Sequence, residues 1–363
     1  MGHVLLSPLN WGLGHASRDI PLIQELLSRH HDVTIAACGN ALSLLKREFP
    51  GCTFIEFQDY PPPNNNGRLF FPTFTAHIPT LITGLSDERR NLKRILSDDH
   101  YDLIISDSRP GVYSDAIPSI HITHQVHQSF PLIVWPIELI ALWVNARAFR
   151  KYTHLVIADN PSKDTALAGK LSRTFFPGTK KQSYYSGILA SVQYTPPTKT
   201  IDFLIIVSGM EPQRTALEKI ILPQVQDLPG KKVVLLGKPS ADQVSKPDDD
   251  TEIRSYVSNE EKTNLMCGAR FIICRSGYTS MMDLAELQAR KGLLIPTPGQ
   301  WEQEYLSSYY RRRGWFMSQS QYRLRLKRDV ERAEGFSGFP QMRKTEENVR
   351  RLYDELLAQY LEP

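Results

Sequence analysis

The sequence predicts an α/β protein of two domains, each a doubly wound sheet of the Rossmann-like type. Short apolar segments of strand length alternate with helical segments through both halves, a pattern typical of sheets covered by helices on both faces. The 363 residues exceed the usual size of one domain, and 41% hydrophobic and 23% charged residues are ordinary for a globular protein. Two prolines in a polar stretch at 194–199 predict a semi-rigid linker between the halves.

The predicted strands form two sets, one on each side of this linker. In the first half they lie at 4–7, 33–37, 53–57, 103–106, 119–123 and 155–158, and in the second at 203–207, 232–236, 252–256, 271–274 and 292–296. The acidic segment 246–250 is predicted as a solvated turn, and residues 346–360 as a final helix. We therefore divide the chain into an N-terminal domain (1–195), a C-terminal domain (196–345) and a terminal helical segment (346–363).

A glycine loop follows the first predicted strand. Gly12 and Gly14 precede His15, and a helix is predicted to begin near Ala16. The arrangement is similar to a dinucleotide-binding fingerprint, but Ser17 stands where the third glycine would be. The strand at 33–37 is followed by Cys-Gly-Asn, without an acidic residue for an adenosine ribose. A nicotinamide site is therefore disfavoured.

The segment 271–305 is the most informative part of the second half. A strand runs into the turn Arg275-Ser276-Gly277, which leaves backbone N–H groups at a helix N-terminus, where a pyrophosphate could bind. Asp283 follows one turn into that helix and could accept hydrogen bonds from both hydroxyls of a ribose. The next strand leads into a polar loop suited to sugar hydroxyls, which contains Gln300, Gln303 and Glu304.

Further polar groups follow other predicted strands, at the edge where ligands gather in open α/β sheets. Asp107 and His124 follow two strands of the first half, and Ser208 and Gly209 follow the first strand of the second. Arg214, shortly after them, could bind a phosphate in bidentate fashion or pair with Glu218 on its own helix. Asp107 could equally form an internal pair with Arg109, and His124 could be a structural histidine.

These residues together resemble the GT-B glycosyltransferases, above all those similar to the peptidoglycan N-acetylglucosaminyltransferase. The resemblance implies two Rossmann-like domains that face each other across a cleft, with the terminal helix returning to the first domain. It implies that Ser276, Gly277, Asp283, Gln303 and Glu304 hold a uridine diphosphate sugar, and that the turn at Ser208 and Gly209 contacts its phosphates. The sequence departs from the family pattern at Asp283, where the usual acid is glutamate, and at 303–304, where paired glutamine or Asp-Gln is more common.

The same resemblance implies an inverting transfer of a sugar, an N-acetylhexosamine or a hexose, by a single displacement. A base must take the proton of the acceptor hydroxyl, and His15 is the first candidate, Asp107 the second and His124 a third. Neither a metal nor another cofactor is expected, because glycosyltransferases of this fold generally act without a carboxylate-bound metal. A UDP-sugar epimerase or hydrolase and a non-catalytic nucleotide-sugar binding protein are the alternative functions.

Composition limits the partners and the location. The net charge of +4 does not call for nucleic acid, and the four cysteines contain no CxxC pair, which is typical of free thiols. The N-terminus lacks the features of a secretory signal, and a cytoplasmic location is expected. The apolar run 130–144 with its basic flank to 151 could contact anionic lipid at the inner face of the membrane, or could be a core helix. The acceptor could be lipid-linked, a glycan or a small molecule.

Overall fold

The computed structural model describes residues 1–60, 70–127, 135–198, 200–238 and 243–362. It divides into two compact units, which are described separately. Unit 1 comprises Met1–Ser191 with Arg343–Pro363, and unit 2 comprises Val192–Met342. The terminal segment that the sequence analysis set apart thus belongs to the same compact unit as the N-terminal half.

Unit 1 is built on a parallel sheet of seven strands. The strands are β1 (His3–Pro8), β2 (Asp32–Ala37), β3 (Thr53–Glu56), β4 (Leu103–Asp107), β5 (Ser119–Thr123), β6 (His154–Ile157) and β7 (Ser183–Tyr185). The helices that precede unit 2 are α1 (Gly14–Ser28), α2 (Gly39–Glu48), α3 (Phe70–Asp98), α4 (Trp135–Phe149) and α5 (Pro177–Gln182). The strand order is β3-β2-β1-β4-β5-β6-β7, and every neighbouring pair is parallel.

This order places a topological switch point between β1 and β4. The chain moves outward from β1 to β3 and then crosses to β4 on the other side of β1. Loops that follow β1 and β4 therefore diverge and leave a crevice at the carboxyl edge of the sheet. Both strands are apolar and buried along almost their whole length, because helices cover both faces of a parallel sheet. The switch point is where unit 1 is expected to bind a ligand.

Unit 2 repeats this plan with one antiparallel edge. Its strands are β8 (Ile201–Ile206), β9 (Lys232–Leu235), β10 (Val244–Asp248), β11 (Thr251–Arg254), β12 (Ala269–Cys274), β13 (Gly292–Leu294) and β14 (Met317–Ser318). Its helices are α6 (Gln213–Val225), α7 (Asn259–Gly268), α8 (Tyr278–Glu286), α9 (Trp301–Arg312) and α10 (Leu326–Ala333). The order is β10-β11-β9-β8-β12-β13-β14, with β10 antiparallel to β11 and the other pairs parallel. The switch point of unit 2 lies between β8 and β12.

Each strand predicted from the sequence is present, within three residues at either end. The prediction at 246–250 is wrong in part, because Val244–Asp248 forms β10 and only the last residues turn. β10 is fully exposed and contains Pro247, which a strand tolerates at a sheet edge, where its missing N–H faces solvent. The short strands β7 and β14 were also missed, because two or three residues carry no periodic signal.

The terminal segment of unit 1 begins as α11 (Thr345–Leu352), continues through a π-helical turn at Tyr353–Leu357 and ends as α12 (Ala358–Leu361). It packs against α1. The hydroxyl of Tyr353 lies 2.5 Å from Nε2 of His31, and Arg29 forms an ion pair of 3.0 Å with Asp354. These contacts fix the end of the chain beside the first helix.

None of the helices among the described residues is both long and apolar enough to cross a membrane. Of the apolar run 130–144 and its basic flank to 151, residues 130–134 lie outside the described part, and α4 contains 135–149.

Candidate active site

The loop between β1 and α1 is held by side chains and backbone groups of unit 1. The backbone N–H of Asn10 donates to Asp59 at 2.7 Å, and the indole of Trp11 donates to the carbonyl of Tyr60 at 2.9 Å. Gly12 has a φ of +99°, and a side chain there would meet no atom within 4 Å, so this turn of the loop is strained for other residues and faces open space. Gly14 then begins α1.

His15 and Asp107 meet at the switch point of unit 1. Nδ1 of His15, in the first turn of α1, lies 3.0 Å from Oδ1 of Asp107, the last residue of β4. Asp107 is fully buried, whereas the His15 side chain remains 19% exposed. The pair therefore joins a buried carboxylate to an imidazole that reaches the surface. Among the described residues, Nε2 of His15 has no hydrogen-bond partner and can exchange a proton.

Arg18 completes this arrangement. Its Nε donates to Oδ2 of Asp107 at 2.6 Å, a second nitrogen forms a very short contact with Oδ1, and a third lies 2.8 Å from Nδ1 of His124. Since a guanidinium only donates, Nδ1 of His124 is the acceptor. The structure thus brings together the three sequence-predicted candidates for the base, with Arg18 as the group that joins His124 to the other two.

The charges determine which of these groups is ionised. Burial alone would raise the pKa of Asp107, but the charges of Arg18 and His15 outweigh it and hold the pKa well below its ordinary value. Burial lowers the pKa of the neighbouring His121 to about 3, so that imidazole is neutral. Asp107 is therefore a carboxylate at neutral pH and, at 3.0 Å from Nδ1, is able to orient His15.

Arg109 does not pair with Asp107, the alternative that the sequence left open. Its Nε donates to Glu88 of α3 at 2.6 Å, and other nitrogens donate to Ser7 and to the carbonyls of Phe57 and Gln58. Arg109 is fully buried and ties the ends of β1 and β3 to α3.

In unit 2, the turn after β8 lies at the switch point. Ser208 is half-buried, and Gly209 has a φ of +117° with no atom within 4 Å of where its side chain would lie. Arg214 is almost buried and contacts Glu211 and Glu218, the latter at 2.8 Å, and also the carbonyl of Leu236. The pairing with Glu218 that the sequence allowed is present. The phosphate contact of Arg214 stays a prediction.

The turn after β12 is held in place by the buried side chain of Arg275. Arg275 donates to the carbonyls of Ile295, Pro296 and Gln213, which joins the ends of β12 and β13 to the start of α6. Burial lowers the pKa of Arg275 to about 10. Among the described residues, it forms no ion pair within 4 Å. The hydroxyl of Ser276 donates to the carbonyl of Gln303 at 2.9 Å, and Gly277 caps α8 in an extended conformation.

Asp283 is buried in α8 and pairs with Lys262 of α7. Nζ of Lys262 lies 3.3 Å from Oδ2 of Asp283, whose side chain is 5% exposed. Lys262 received no attention in the sequence analysis. A lysine seven residues before β12 gives no periodic signal of a partner, and only the contact between Lys262 of α7 and Asp283 of α8 reveals it.

The loop before α9 is stabilised by side chains from the first turn of that helix, where the structure places Gln303 and Glu304. Oε1 of Gln303 accepts from the backbone of Thr297 at 2.9 Å, and its amide donates to Gln300 at 2.6 Å. Glu304 accepts from the backbone of Gly299 at 3.0 Å. Gln303 and Ser276 are thus neighbours, so the structure brings the predicted sugar loop beside the predicted phosphate turn.

Sequence reasoning missed Arg18 and Asp19 in unit 1. Both are buried on α1, one turn after His15. Polar residues three and four positions apart share a helix face. Their spacing of three and four residues from His15 was the sequence signal that could have identified them, whereas their burial is visible only in the structure.

Solved structures resemble the whole chain at low sequence identity. No family model and no curated protein sequence matches. The glycotransferase of kitacinnamycin superposes with a TM-score of 0.65 at 12% identity over 99% of each chain. The spinosyn rhamnosyltransferase SpnG gives 0.62 at 14% identity over 98% of this chain and 96% of that one, and SnogD from Streptomyces nogalater 0.59 at 15% over 97% and 94%.

The chain has the GT-B fold. The sequence-based resemblance to GT-B glycosyltransferases is confirmed for the fold, with two parallel sheets covered by helices. The narrower resemblance to the peptidoglycan enzyme stays a prediction. Among the residues described in this GT-B chain, no group of three or more histidine, cysteine, aspartate or glutamate side chains could hold a metal ion.

Proposed function

We propose that the protein is an inverting glycosyltransferase that moves a sugar from a nucleoside diphosphate donor, a UDP-sugar, to a hydroxyl acceptor. The observation that carries this proposal is the pair of His15 and a permanently ionised Asp107 at the switch point of unit 1. A histidine whose Nδ1 is hydrogen-bonded to a buried carboxylate is an arrangement suited to removing a proton from a hydroxyl.

The proposed reaction has one step. Nε2 of His15 takes the proton of the acceptor hydroxyl, whose oxygen bonds to the anomeric carbon as the bond to the diphosphate breaks. Asp107 stabilises the imidazolium that forms, because the two lie 3.0 Å apart. Attack opposite to the leaving group inverts the anomeric configuration. The step needs no metal, and we expect activity to persist in EDTA.

Unit 2 would hold the donor. The N–H groups at the start of α8, after Ser276 and Gly277, would stabilise the negative charge that develops on the diphosphate. Ser208 and Gly209 would contribute the other side of this site, because β8 and β12 flank the switch point. Arg275 supports the turn through its carbonyl contacts, and Gln300, Gln303 and Glu304 are the proposed sugar contacts.

A panel of nucleotide sugars tests the proposal. The protein is incubated with UDP- and dTDP-sugars, with and without a cell extract as acceptor, and free nucleoside diphosphate is measured. Both nucleotides are needed because SpnG has been solved with thymidine diphosphate. Release that depends on acceptor supports transfer, release into water alone indicates a hydrolase, and an altered sugar without release indicates an epimerase. Binding without any turnover would indicate a binding protein, and no binding at all would reject the donor site.

Asp283→Ala is expected to weaken the binding of UDP about tenfold or more, because a carboxylate that accepts from ribose hydroxyls contributes roughly 1.5–3 kcal/mol. Isothermal titration calorimetry measures the change. Glu261→Ala, which removes an exposed partner of Arg254 on α7, is the matched control and should bind normally. Unchanged affinity in Asp283→Ala would exclude the ribose assignment and leave Asp283 with structural contacts, such as that with Lys262.

We also propose contact with an anionic membrane surface near the end of α4, consistent with a lipid-linked acceptor and a cytoplasmic enzyme at the membrane face. Trp143 and Val144 are 60% and 51% exposed, Arg147 lies in the last turn of α4, and Arg150 follows directly after the helix. Trp143→Ser is expected to lower binding to anionic vesicles about tenfold, from roughly 1.5 kcal/mol of lost apolar burial.

Vesicle flotation measures this binding. Tyr322→Ser, which removes an aromatic ring 71% exposed in unit 2, is the control and should float like the unmodified protein. Equal flotation of both variants, or no flotation of the unmodified protein, would contradict membrane contact at α4.

A further inference from the structure

Asp19 is a buried carboxyl group that the proposed mechanism does not use. It lies in α1 next to Arg18 and one turn after His15, and its exposure is 0%. Neither of its oxygens has a hydrogen-bond partner among the described residues when it is treated as an acceptor. A buried carboxylate without a partner is strongly disfavoured, so this group calls for a physical explanation.

Among the described residues, no cation donates a hydrogen bond to Asp19. Arg18 is committed to both oxygens of Asp107 and to His124. His15 faces Asp107, and His121 of β5 is neutral. Two carboxyl groups therefore share one guanidinium, and only one of them can remain ionised at low cost.

The unequal environments decide which one is ionised. Burial raises the pKa of Asp19 well above its ordinary value, and the charge of Asp107 raises it further, against the opposing effect of Arg18. Asp107 holds the opposite state because Arg18 and His15 contact it directly. The side chains of Asp19 and Asp107 are close enough to interact as hydrogen-bonding partners.

We propose that Asp19 is a positioning residue, a neutral carboxylic acid whose O–H donates to the Asp107 carboxylate. The missing partners of Asp19 are then accounted for, because a protonated acid donates where a carboxylate cannot. The donated hydrogen bond gives Asp107 a third contact besides Arg18 and His15 and limits its motion. Its effect on turnover rests on the proposed function, whereas its protonation does not.

Carbon-13 NMR of the full chain with labelled aspartate tests the protonation without any substrate. The carboxyl resonance of Asp19 is assigned by its disappearance in Asp19→Asn. We expect Asp19 to remain protonated at neutral pH, and in Asp107→Asn its titration to move to lower pH, because the neighbouring charge is gone and Arg18 becomes available. If Asp19 titrates with the ordinary carboxylates in the unmodified protein, the proposal is wrong, whatever the enzyme does.

Thermal unfolding gives a second measurement that needs no activity. The ordinary pKa of an aspartate side chain is 3.8. Above this pH, Asp19 is ionised in the unfolded protein and neutral in the folded protein, so folding takes up a proton. Stability then falls as pH rises toward the raised pKa, and asparagine removes this cost. The Tm of Asp19→Asn minus that of the unmodified protein should therefore increase with pH. A difference that is constant or decreases would contradict a neutral Asp19.

Kinetics test the positioning role. Asp19→Ala removes the donor and is expected to lower kcat about tenfold at unchanged donor affinity, whereas Asp19→Asn supplies an N–H and should restore most of the loss. If asparagine is as impaired as alanine, or alanine is not impaired at all, Asp19 does not act through a donated hydrogen bond. Should the alanine variant fail to fold, the NMR titration still decides the protonation of Asp19.

Discussion

Replacing His15 with alanine is expected to lower kcat by about a hundred- to ten-thousand-fold, the usual contribution of a general base, while donor affinity is unchanged. The reason is that Nδ1 of His15 faces Asp107 and its partly exposed side chain leaves Nε2 for the acceptor hydroxyl. Steady-state rates and calorimetric binding of UDP measure the two effects separately. His100→Ala, which removes a histidine 85% exposed, is the control and should match the unmodified protein.

Asp107→Asn should also lower kcat, because a neutral amide cannot stabilise the imidazolium that forms on His15. Combined with His15→Ala it should add little, since two residues that act as a unit are not additive. Asp107 stays ionised far below pH 3.8, so any loss of activity in mildly acidic solution belongs to another group. Full activity of His15→Ala would reject His15 as the base and turn attention to His124, which Arg18 connects to the same carboxylate.

The strands of both units could be predicted because each is a short apolar run bounded by polar turns. This signal located β1, β4, β8 and β12, and with them the loops at both switch points. It could not locate β10, because all five of its residues are exposed and one of them is Pro247. The strand is defined by its backbone pairing with β11.

The candidate site was less predictable than the fold. His15 and Asp107 are 92 residues apart in the sequence. They were named as alternative candidates for the base because each follows the carboxyl end of a predicted strand. Their contact depends on the crossover from β3 to β4, a three-dimensional fact that no local pattern contains. Arg18 was missed because a helical arginine usually lies in solvent, and here the crevice at the switch point buries it against Asp107. The ion pair of Arg214 with Glu218 could be predicted, because the two residues are four positions apart on one helix.

Removing the carboxylate of Glu88 is expected to destabilise the protein by about 3–5 kcal/mol, the usual effect of leaving a buried charge uncompensated. Glu88 and Arg109 are 1% and 0% exposed and lie 2.6 Å apart. Arg109 also donates to groups at the ends of β1 and β3, and Glu88 accepts from the backbone of Gly111. Glu88→Ala therefore leaves an unpaired guanidinium beneath the loops that carry the active site. Urea denaturation measures the loss.

An exposed ion pair between Arg89 of the same helix and a loop aspartate supplies the contrast. Asp115, 85% exposed, pairs with Arg89 at 2.9 Å, and Asp115→Ala should cost less than about 1 kcal/mol because solvent screens the pair. Adding Arg109→Met to Glu88→Ala should recover part of the stability, since the unpaired charge is then gone, although the ends of β1 and β3 lose their link to α3. The double variant separates the cost of the buried charge from the loss of the hydrogen bonds that link β1 and β3 to α3. Full recovery of stability would mean that these hydrogen bonds of Arg109 contribute nothing. A loss below about 1 kcal/mol in Glu88→Ala alone would mean that water reaches the guanidinium.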